Sequence, residues 1–343
     1  GRIAVGPDSA GASPGPACYG LGGTAPTVTD ANLALGKIDP TKFAGGKIAL
    51  DTEAATGALR RTIGEPLHLE GSWPAAGVAE IVEENMANAA RVHAVERGKD
   101  VTRFAMIAFG GSAPLHACRL ADKLGITQVI VPRHAGVGSA VGFLRAPVAY
   151  EVTRSLAARL DPFDPMRVNR MLAEMTEAAL AVVRPAASGD IRLQRIADLR
   201  YVGQGHEIRI ELPAGELSAA SAPVLRRLFE TGYAQVYGLN LPSMAVEAVT
   251  WSVVAASPAP KGPRVTIPPA TDAPPPSGRR RVFDPARGES LSLPGYWRPD
   301  LGVGASIEGP ALIAEAETTT VVGVGYRAVV DEHGHIVMTR SGT

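Results

Sequence analysis

Residues 106–117 read Met-Ile-Ala-Phe-Gly-Gly-Ser-Ala-Pro-Leu-His-Ala. An apolar run ends in a glycine pair, and Pro114 follows at a point where a helix can begin, because the first helical turn needs no backbone N–H donor there. Apolar residues then recur at helical spacing, at Leu115, Cys118, Ala121 and Leu124. The stretch therefore predicts a strand, a glycine turn and a helix, which form either a ligand-binding turn or an ordinary structural one.

This strand–glycine–helix unit resembles the adenosine-binding motif of actin-like ATPases. The resemblance implies that Gly110, Gly111 and Ser112 face adenine and ribose, because glycine lets a flat ligand lie against the backbone. Pro114 would open the helix. His116, one turn further on, would either contact the nucleotide or pack in the core. In actin-like ATPases the phosphates lie against glycine-rich hairpins, where backbone N–H groups and a magnesium ion neutralise their charge.

A second segment makes the resemblance more specific. Residues 6–20 read Gly-Pro-Asp-Ser-Ala-Gly-Ala-Ser-Pro-Gly-Pro-Ala-Cys-Tyr-Gly, and residues 22–36 read Gly-Gly-Thr-Ala-Pro-Thr-Val-Thr-Asp-Ala-Asn-Leu-Ala-Leu-Gly. This pattern strongly resembles the hydantoinase A/5-oxoprolinase family, which includes ATP-dependent N-methylhydantoinase A and the nucleotide-binding subunits of acetone and acetophenone carboxylases. The match continues over nearly the whole chain, at residues 84–86, 95–98, 109–117, 137–140, 199–207 and 309–311.

The family resemblance implies an ATP-dependent enzyme that uses Mg²⁺ or Mn²⁺. It would activate an unreactive oxygen of a cyclic amide, a bicarbonate or an enol by phosphorylation, together with a hydantoinase B-type subunit. The family's phosphate loops carry an Asp-x-Gly-Gly-Thr pattern, which this sequence lacks. Because the chain starts at Gly1 rather than Met, we expect it to be the C-terminal part of a cut or divided protein whose N-terminal half carries those loops. The alternative is a non-catalytic scaffold that binds a partner subunit.

The composition narrows the class of protein. The 34 basic and 34 acidic residues cancel, so nothing resembles an electrostatic footprint for nucleic acid. No apolar run reaches the length of a membrane-spanning helix, and two cysteines fit a reducing, cytoplasmic compartment. With 38 glycines, 28 prolines and 5% aromatic residues, the chain favours α/β structure with many tight turns.

The order of patterns predicts an α/β fold. We expect the second half of an actin-like ATPase (ribonuclease H-like) domain over 1–147, then an α+β domain over 148–256. A proline-rich linker would occupy 257–280, and a small β-rich unit 281–343. Within the first domain, the spacing of apolar residues predicts a helix over about 75–97, strands over 104–108 and 127–131, and a helix over 114–124. The first five residues look like one strand of a hairpin.

The loop over residues 6–30 is expected to line the cleft of the site, because ordered loops of this length are usually functional. Its candidate lining residues are Asp8, Gly11, Gly15, Tyr19, Gly23 and Thr29. Either Thr29 or Asp30 would cap the following helix.

Five positions could carry chemistry. Asp30 would hold a metal-bound water or serve only as a cap, and Cys18 would be a catalytic nucleophile or a small buried residue. His206 follows a glycine turn, where it is either a polar contact or a surface residue. His333 and His335 have a spacing that can bind metal, but their place at a hairpin turn argues against a metal site.

Overall fold

The computed structural model describes residues 1–260, 262, 266–270 and 274–341. The chain divides into two compact units. The first unit contains residues 1–142 and resumes after residue 262, whereas the second unit consists of residues 143–262. Among the described residues, no helix combines the length and the apolar character needed to cross a bilayer.

Helices predominate up to residue 96, helices and strands alternate between residues 106 and 256, and strands predominate in the described residues after that. A π-helical segment, Arg60–Gly64, joins the second helix to the third. The helices are α1 (Val28–Ala34), α2 (Thr52–Leu59), α3 (Glu65–Leu67), α4 (Trp73–Glu96), α5 (Ala113–Leu124), α6 (Gly138–Arg145), α7 (Pro165–Val183) and α8 (Ser221–Tyr237).

The strands of the described residues form three sheets. In chain order they are β1 (Met106–Ile107), β2 (Gln128–Val131), β3 (Ala149–Arg159), β4 (Arg192–Tyr201), β5 (Ile208–Glu211), β6 (Val246–Ala256), β7 (Gly278–Asp284), β8 (Glu289–Trp297), β9 (Ser306–Glu308), β10 (Ala311–Ala314), β11 (Thr319–Val322), β12 (Tyr326–Val330) and β13 (Ile336–Arg340). The predicted helix over 75–97 corresponds to α4, and the predicted strand–turn–helix–strand of residues 104–131 corresponds to β1, α5 and β2.

The first unit is built on a five-stranded sheet in the order β1-β2-β13-β12-β9. β1 and β2 are parallel, with α5 as the crossover between them, while β13 pairs antiparallel with β2. Ile336 and Met338 of β13 are fully buried beside Val129 and Val131 of β2, in the same core as the apolar face of α5. A four-stranded sheet in the order β11-β10-β8-β7 completes this unit.

The expected division at the C-terminal end is wrong in one respect. Residues 281–343 were expected to form a separate β-rich unit, but β13 shares a continuous ladder with β2, from Ile336 opposite Val131 to Thr339 opposite Gln128. The physical reason is that β2 needs a partner on its second edge, and the apolar alternation of β13 provides one. Parts of the predicted linker over 257–280 lie outside the described residues; its end belongs to β7.

The second unit is an antiparallel sheet in the order β3-β6-β4-β5, covered by α7 and α8. Its core contains Trp251, which is fully buried and donates from Nε1 to the carbonyl oxygen of Leu156 at 2.9 Å. Tyr201 meets Phe229 edge to face, with ring centroids 4.8 Å apart. These elements lie within residues 148–256, and the division of the chain at those bounds stays a prediction.

Two local expectations differ from the structure. Residues 1–5 form no strand; Ile3 and Val5 instead pack against the cluster of α1 and α4 residues. The helices of residues 52–67 were not predicted. Asp51 caps α2, because its carboxylate accepts a hydrogen bond from the backbone N–H of Ala54 at 2.9 Å. The mixed α/β architecture with several sheets is confirmed, while the actin-like assignment stays a prediction.

Candidate functional site

The glycine turn between β1 and α5 leaves part of its backbone uncovered. Gly110 has a φ of 116°, and among the described residues no heavy atom lies within 4 Å of where its Cβ would be. Gly111 and Ser112 are exposed. Pro114, by contrast, is buried in the first turn of α5 and offers no surface to a ligand. The three residues before the helix are therefore the ones that a ligand can reach.

A turn from the C-terminal part of the chain lies opposite these glycines. Thr318 donates a hydrogen bond from Oγ1 to the carbonyl oxygen of Gly111 at 2.6 Å. A Cβ at Gly136 would lie 2.5 Å from the Cβ of Glu317, so this second glycine is needed for the close approach of the turn. The groove beside Gly111 is small, with a volume of about 40 Å³, and Asp39, Lys42, Phe43 and Leu115 contribute to its walls.

The groove offers a ligand an uncovered backbone, one aromatic side chain (Phe43) and one cation (Lys42). Within the described part of the chain, no group of three or more His, Cys, Asp or Glu side chains is arranged to hold a metal ion. The described residues therefore present no preformed site for Mg²⁺ or Mn²⁺, and adenosine binding at Gly110, Gly111 and Ser112 stays a prediction.

The carboxylate of Asp30 accepts hydrogen bonds from the loop and is not free to hold a metal-bound water. Its side chain is fully buried. One carboxylate oxygen accepts hydrogen bonds from the backbone N–H of Ala17 and from the N–H and hydroxyl of Thr27, and the other accepts from the N–H of Cys18 at 2.8 Å. Thr27, not Thr29 or Asp30, is the N-cap of α1, because its Oγ1 accepts from the N–H of Asp30. The carboxylate thus fastens the end of the loop to the helix.

The cleft-lining loop is divided into an exposed part and a buried part. Residues 6–14, which include Asp8 and Gly11, are exposed, whereas Gly15 and the three residues after it are buried. Tyr19 and Gly23 are partly buried, as is Thr29. Cys18 belongs to the same apolar cluster as Leu115 of α5, and the Tyr19 ring lies 5.8 Å from that of Phe43. The second part of the loop therefore packs beside two residues of the groove wall, and the cleft-lining role of the whole loop stays a prediction.

Cys18 is a buried thiol without the properties of a nucleophile. Its side chain is fully buried, and burial, reinforced by the carboxylate of Asp30, raises its pKa to about 12. Cys118 is also buried, and burial raises its pKa to about 12. Because the thiolate is the reactive form, both cysteines should be inert in the folded chain.

We expect neither cysteine to react with 5,5′-dithiobis(2-nitrobenzoate) at about pH 8 while the chain is folded. Both the raised pKa values and the burial oppose the reaction. Absorbance at saturation should show two thiols per chain in urea and none in buffer. Stoichiometric labelling of Cys18 in buffer, identified by mass spectrometry, would contradict this assignment. Cys18 would then again be a candidate nucleophile.

His116 lies in a buried polar cluster between three helical elements. It is 3% exposed, its Nδ1 is 2.9 Å from Oε1 of Glu83, and its Nε2 is 3.0 Å from Nδ2 of Asn32. Lys37 places its Nζ 3.8 Å from the same Glu83 oxygen. Burial lowers the pKa of Lys37, while the Glu83 charge opposes that effect. Both ring nitrogens of His116 have partners within the chain. Of the two roles expected for this side chain, packing in the core agrees with these contacts, and contact with a nucleotide does not.

Nδ1 of the ring faces the Glu83 carboxylate and Nε2 faces the Asn32 side-chain amide, with donor and acceptor roles that depend on the tautomer of the ring. Sequence reasoning missed Asn32, Lys37 and Glu83. A signal was available, because Ala79, Glu83 and Ala87 follow at intervals of four on the buried face of α4, so a carboxylate interrupts a row of alanines.

Neither His333 nor His335 lines the groove beside the glycine turn. His206 is exposed after β4. His335 accepts a hydrogen bond at Nδ1 from the backbone N–H of Arg133, and His333 is exposed, with the two rings 5.9 Å apart.

Comparison with known proteins gives the class of this chain. The hydantoinase/oxoprolinase family model matches residues 1–152, and the model of the hydantoinase/oxoprolinase C-terminal domain matches residues 167–340. The chain therefore belongs to the hydantoinase/oxoprolinase family, which confirms the resemblance found in its sequence motifs.

Particular relatives are similar over the whole of this chain. The caprolactamase subunit alpha of Pseudomonas jessenii is 36% identical over 338 residues, covering 96% of this chain and 49% of that protein. The crystal structure of the ATP-dependent caprolactamase from Pseudomonas jessenii superimposes with a TM-score of 0.73 at 34% identity, covering 98% of this chain and 50% of that one. A nucleotide-free structure of acetone carboxylase, from work on ATP-dependent acetone carboxylation, superimposes with a TM-score of 0.81 at 27% identity. The match covers 99% of this chain and 50% of that one. The chain spans about half the length of the relatives it matches.

Proposed function

We propose that this chain forms the adenosine-binding side of an ATP-dependent enzyme that acts on a cyclic amide or a related ketone. The uncovered backbone at Gly110, Gly111 and Ser112, beside a groove lined by Phe43 and Lys42, is the observation that carries the proposal. Similar proteins include an ATP-dependent caprolactamase and an acetone carboxylase whose carboxylation of acetone depends on ATP. This similarity supports ATP as the nucleotide.

The chemistry would be activation by phosphorylation. ATP would transfer its γ-phosphoryl group to the amide oxygen, which makes the amide carbon more open to attack by water, so that the ring C–N bond can break and a second water can release phosphate. In a carboxylation, phosphorylated bicarbonate would release phosphate as its carbon joins the α-carbon of the ketone. Phosphate-binding loops and metal ligands would come from an N-terminal half. A hydantoinase B-type subunit would take part in the second step. Residues 1–147 would then act as the second half of an actin-like ATPase domain, with the buried end of the 6–30 loop supporting the groove.

Calorimetric titration with ATP tests this assignment. We expect weak or no binding to the isolated 343-residue chain and clear saturable binding once an N-terminal partner is added. Phosphate release should appear only in the mixture. If the mixture binds a B-type subunit but neither binds nor hydrolyses ATP, the alternative of a non-catalytic scaffold is correct instead.

Gly111→Val should weaken nucleotide binding in the complete assembly by about 1–3 kcal/mol, because a branched side chain would occupy the space of the base or sugar. The fold itself should tolerate the change, since a Cβ at Gly111 would lie 3.4 Å from the nearest atom, the Glu317 carbonyl oxygen. Gly278→Val in β7 is a matched control, because the described residues leave open space around that Cβ position. Equal affinities of the two variants by calorimetry would remove Gly111 from the site.

A further inference from the structure

A larger cleft lies on the other side of the turn formed by Glu315, Ala316 and Glu317. We call it the Trp297 cleft, after the aromatic residue in its wall. It has a volume of about 320 Å³ and lies between the segment after β2, the segment after β8 and the turn between β12 and β13. This volume is at the lower end of the range of small-molecule binding sites. All of its lining residues belong to the first unit.

A buried ion pair between Arg298 and Glu315 forms part of the lining of the Trp297 cleft. Arg298 is 8% exposed, and its Nη1 donates to Oε1 of Glu315 at 2.7 Å. Its Nη2 donates to the carbonyl oxygens of Val131 and Gly334, each at 3.0 Å. Burial raises the pKa of Glu315, while the charge of Arg298 opposes that rise. Because these groups satisfy one another, the pair fixes the surrounding loops and leaves no charge for a ligand.

The charge available to a ligand is that of Arg133. Its backbone N–H is held by His335, and its side-chain stem crosses Gly334, where a Cβ would lie 2.6 Å from Cδ of Arg133. No hydrogen bond or ion pair with any of residues 1–260, 262, 266–270 or 274–341 engages its guanidinium. His134 follows at once, exposed and with a φ of 56°, a backbone conformation that is uncommon outside glycine. Arg133 therefore lines the cleft with a guanidinium that has no partner among the described residues, while its backbone and side-chain carbons are held in place.

Much of the remaining lining is apolar. It includes Trp297, Ile267, Leu301 and Val330, and Lys42 lies over the Trp297 ring with its Nζ 5.7 Å from the ring centroid. A ligand for this cleft needs an apolar or planar body to cover these side chains and an anionic group to meet Arg133. A guanidinium binds a carboxylate through two parallel hydrogen bonds. Glu317, also in the lining, disfavours a doubly charged group such as a phosphate monoester by like-charge repulsion.

We propose that the Trp297 cleft is a binding site for small carboxylates with an apolar or planar body, separate from the nucleoside groove. The carboxylate would pair with Arg133, and the body would lie against Trp297. Residues 315–317 line both cavities. Thr318, the next residue, is bonded to Gly111. An occupant of the cleft therefore contacts the same turn that borders the glycines.

Calorimetric titration of the full chain with benzoate and with benzamide tests the site, because the two probes share a ring and differ in charge. Benzoate is expected to bind about tenfold more tightly than benzamide, with a Kd on the order of 1 mM. Arg133→Gln should abolish this preference and leave both probes at the benzamide level. Arg97→Gln, the same change at an exposed arginine after α4, should preserve it. Trp297→Leu should weaken both probes.

Three outcomes would overturn the proposal. Equal affinity of the unmodified chain for benzoate and benzamide would exclude the role of charge, and a preference retained in Arg133→Gln would exclude that residue. Absence of saturable heat with either probe up to about 20 mM would exclude the site.

Discussion

Glu83→Ala is expected to destabilise the helical layer of the first unit by about 3–5 kcal/mol, the usual cost of removing one member of a buried charged pair. The change leaves Nδ1 of His116 without its partner and the buried ammonium of Lys37 without its nearest carboxylate. Glu83 itself is 3% exposed, so water reaches the vacated site poorly. The loss should spread to all three helical segments that meet at this cluster.

Hydrogen exchange followed by mass spectrometry measures this effect, because a chain with two units has no single free energy of unfolding. Peptides from α4 and α5 should exchange faster in Glu83→Ala, while peptides from α7 and α8 should be unchanged. Glu84→Ala is the matched control. Its carboxylate is 48% exposed and pairs with Lys123, so a loss below about 1 kcal/mol is expected. Similar exchange in both variants would show that the cluster adds nothing beyond a surface ion pair.

Arg298→Met should destabilise the sheet region of the first unit by about 3–5 kcal/mol. The substitution leaves the carboxylate of Glu315 buried without a cation, and it removes the donor shared by the carbonyl oxygens of Val131 and Gly334. The double variant Arg298→Met, Glu315→Leu should recover part of the loss, because replacing both members of a buried pair by apolar residues is often nearly neutral.

The stability lost in Arg298→Met should depend on pH in a definite direction. Burial already raises the pKa of Glu315, and removal of Arg298 takes away the charge that opposes the rise. A protonated carboxyl costs less to bury, so the loss of stability should be largest near neutral pH and should shrink as the pH falls. Calorimetric melting at several pH values would detect this trend. Arg327→Met, at a pair whose side chains are 57% and 69% exposed, should show a small effect without it. A loss in Arg298→Met that does not vary with pH would contradict the assignment.

The sequence was most informative where structure depends on local spacing. The strand–turn–helix–strand of residues 104–131 and the long helix α4 were predicted, because their apolar periodicity is decided within a few turns of chain. The family followed from glycine and proline motifs, which constrain the backbone at particular positions. The role of Thr27 as the cap of α1 could have been recognised from Asp30 three residues later, the spacing of a capping box.

Long-range pairings could not be predicted in this way. The alternation in β13 indicates a strand but says nothing of its partner, because period-two alternation carries no information about a neighbour. The same limit applies to Arg298 and Glu315, and to His116 and Glu83: each pair is separated in sequence and meets only through packing. Part of the candidate site was therefore visible in the glycine turn, while the turn at residues 315–318 that borders it was not.

The pairing of β13 with β2 also sets an order of events on the ribosome. About two hundred residues, including the entire second unit, separate Val131 from its partner Ile336. At roughly 5–20 residues per second, β2 is made on the order of 10–40 s before β13 emerges. During that interval the backbone groups on one edge of β2 have no native strand to bind, and an unpaired edge is a template for association with other chains. The second unit can complete its own antiparallel sheet in the meantime, so newly made chains are most vulnerable to misassembly at β2.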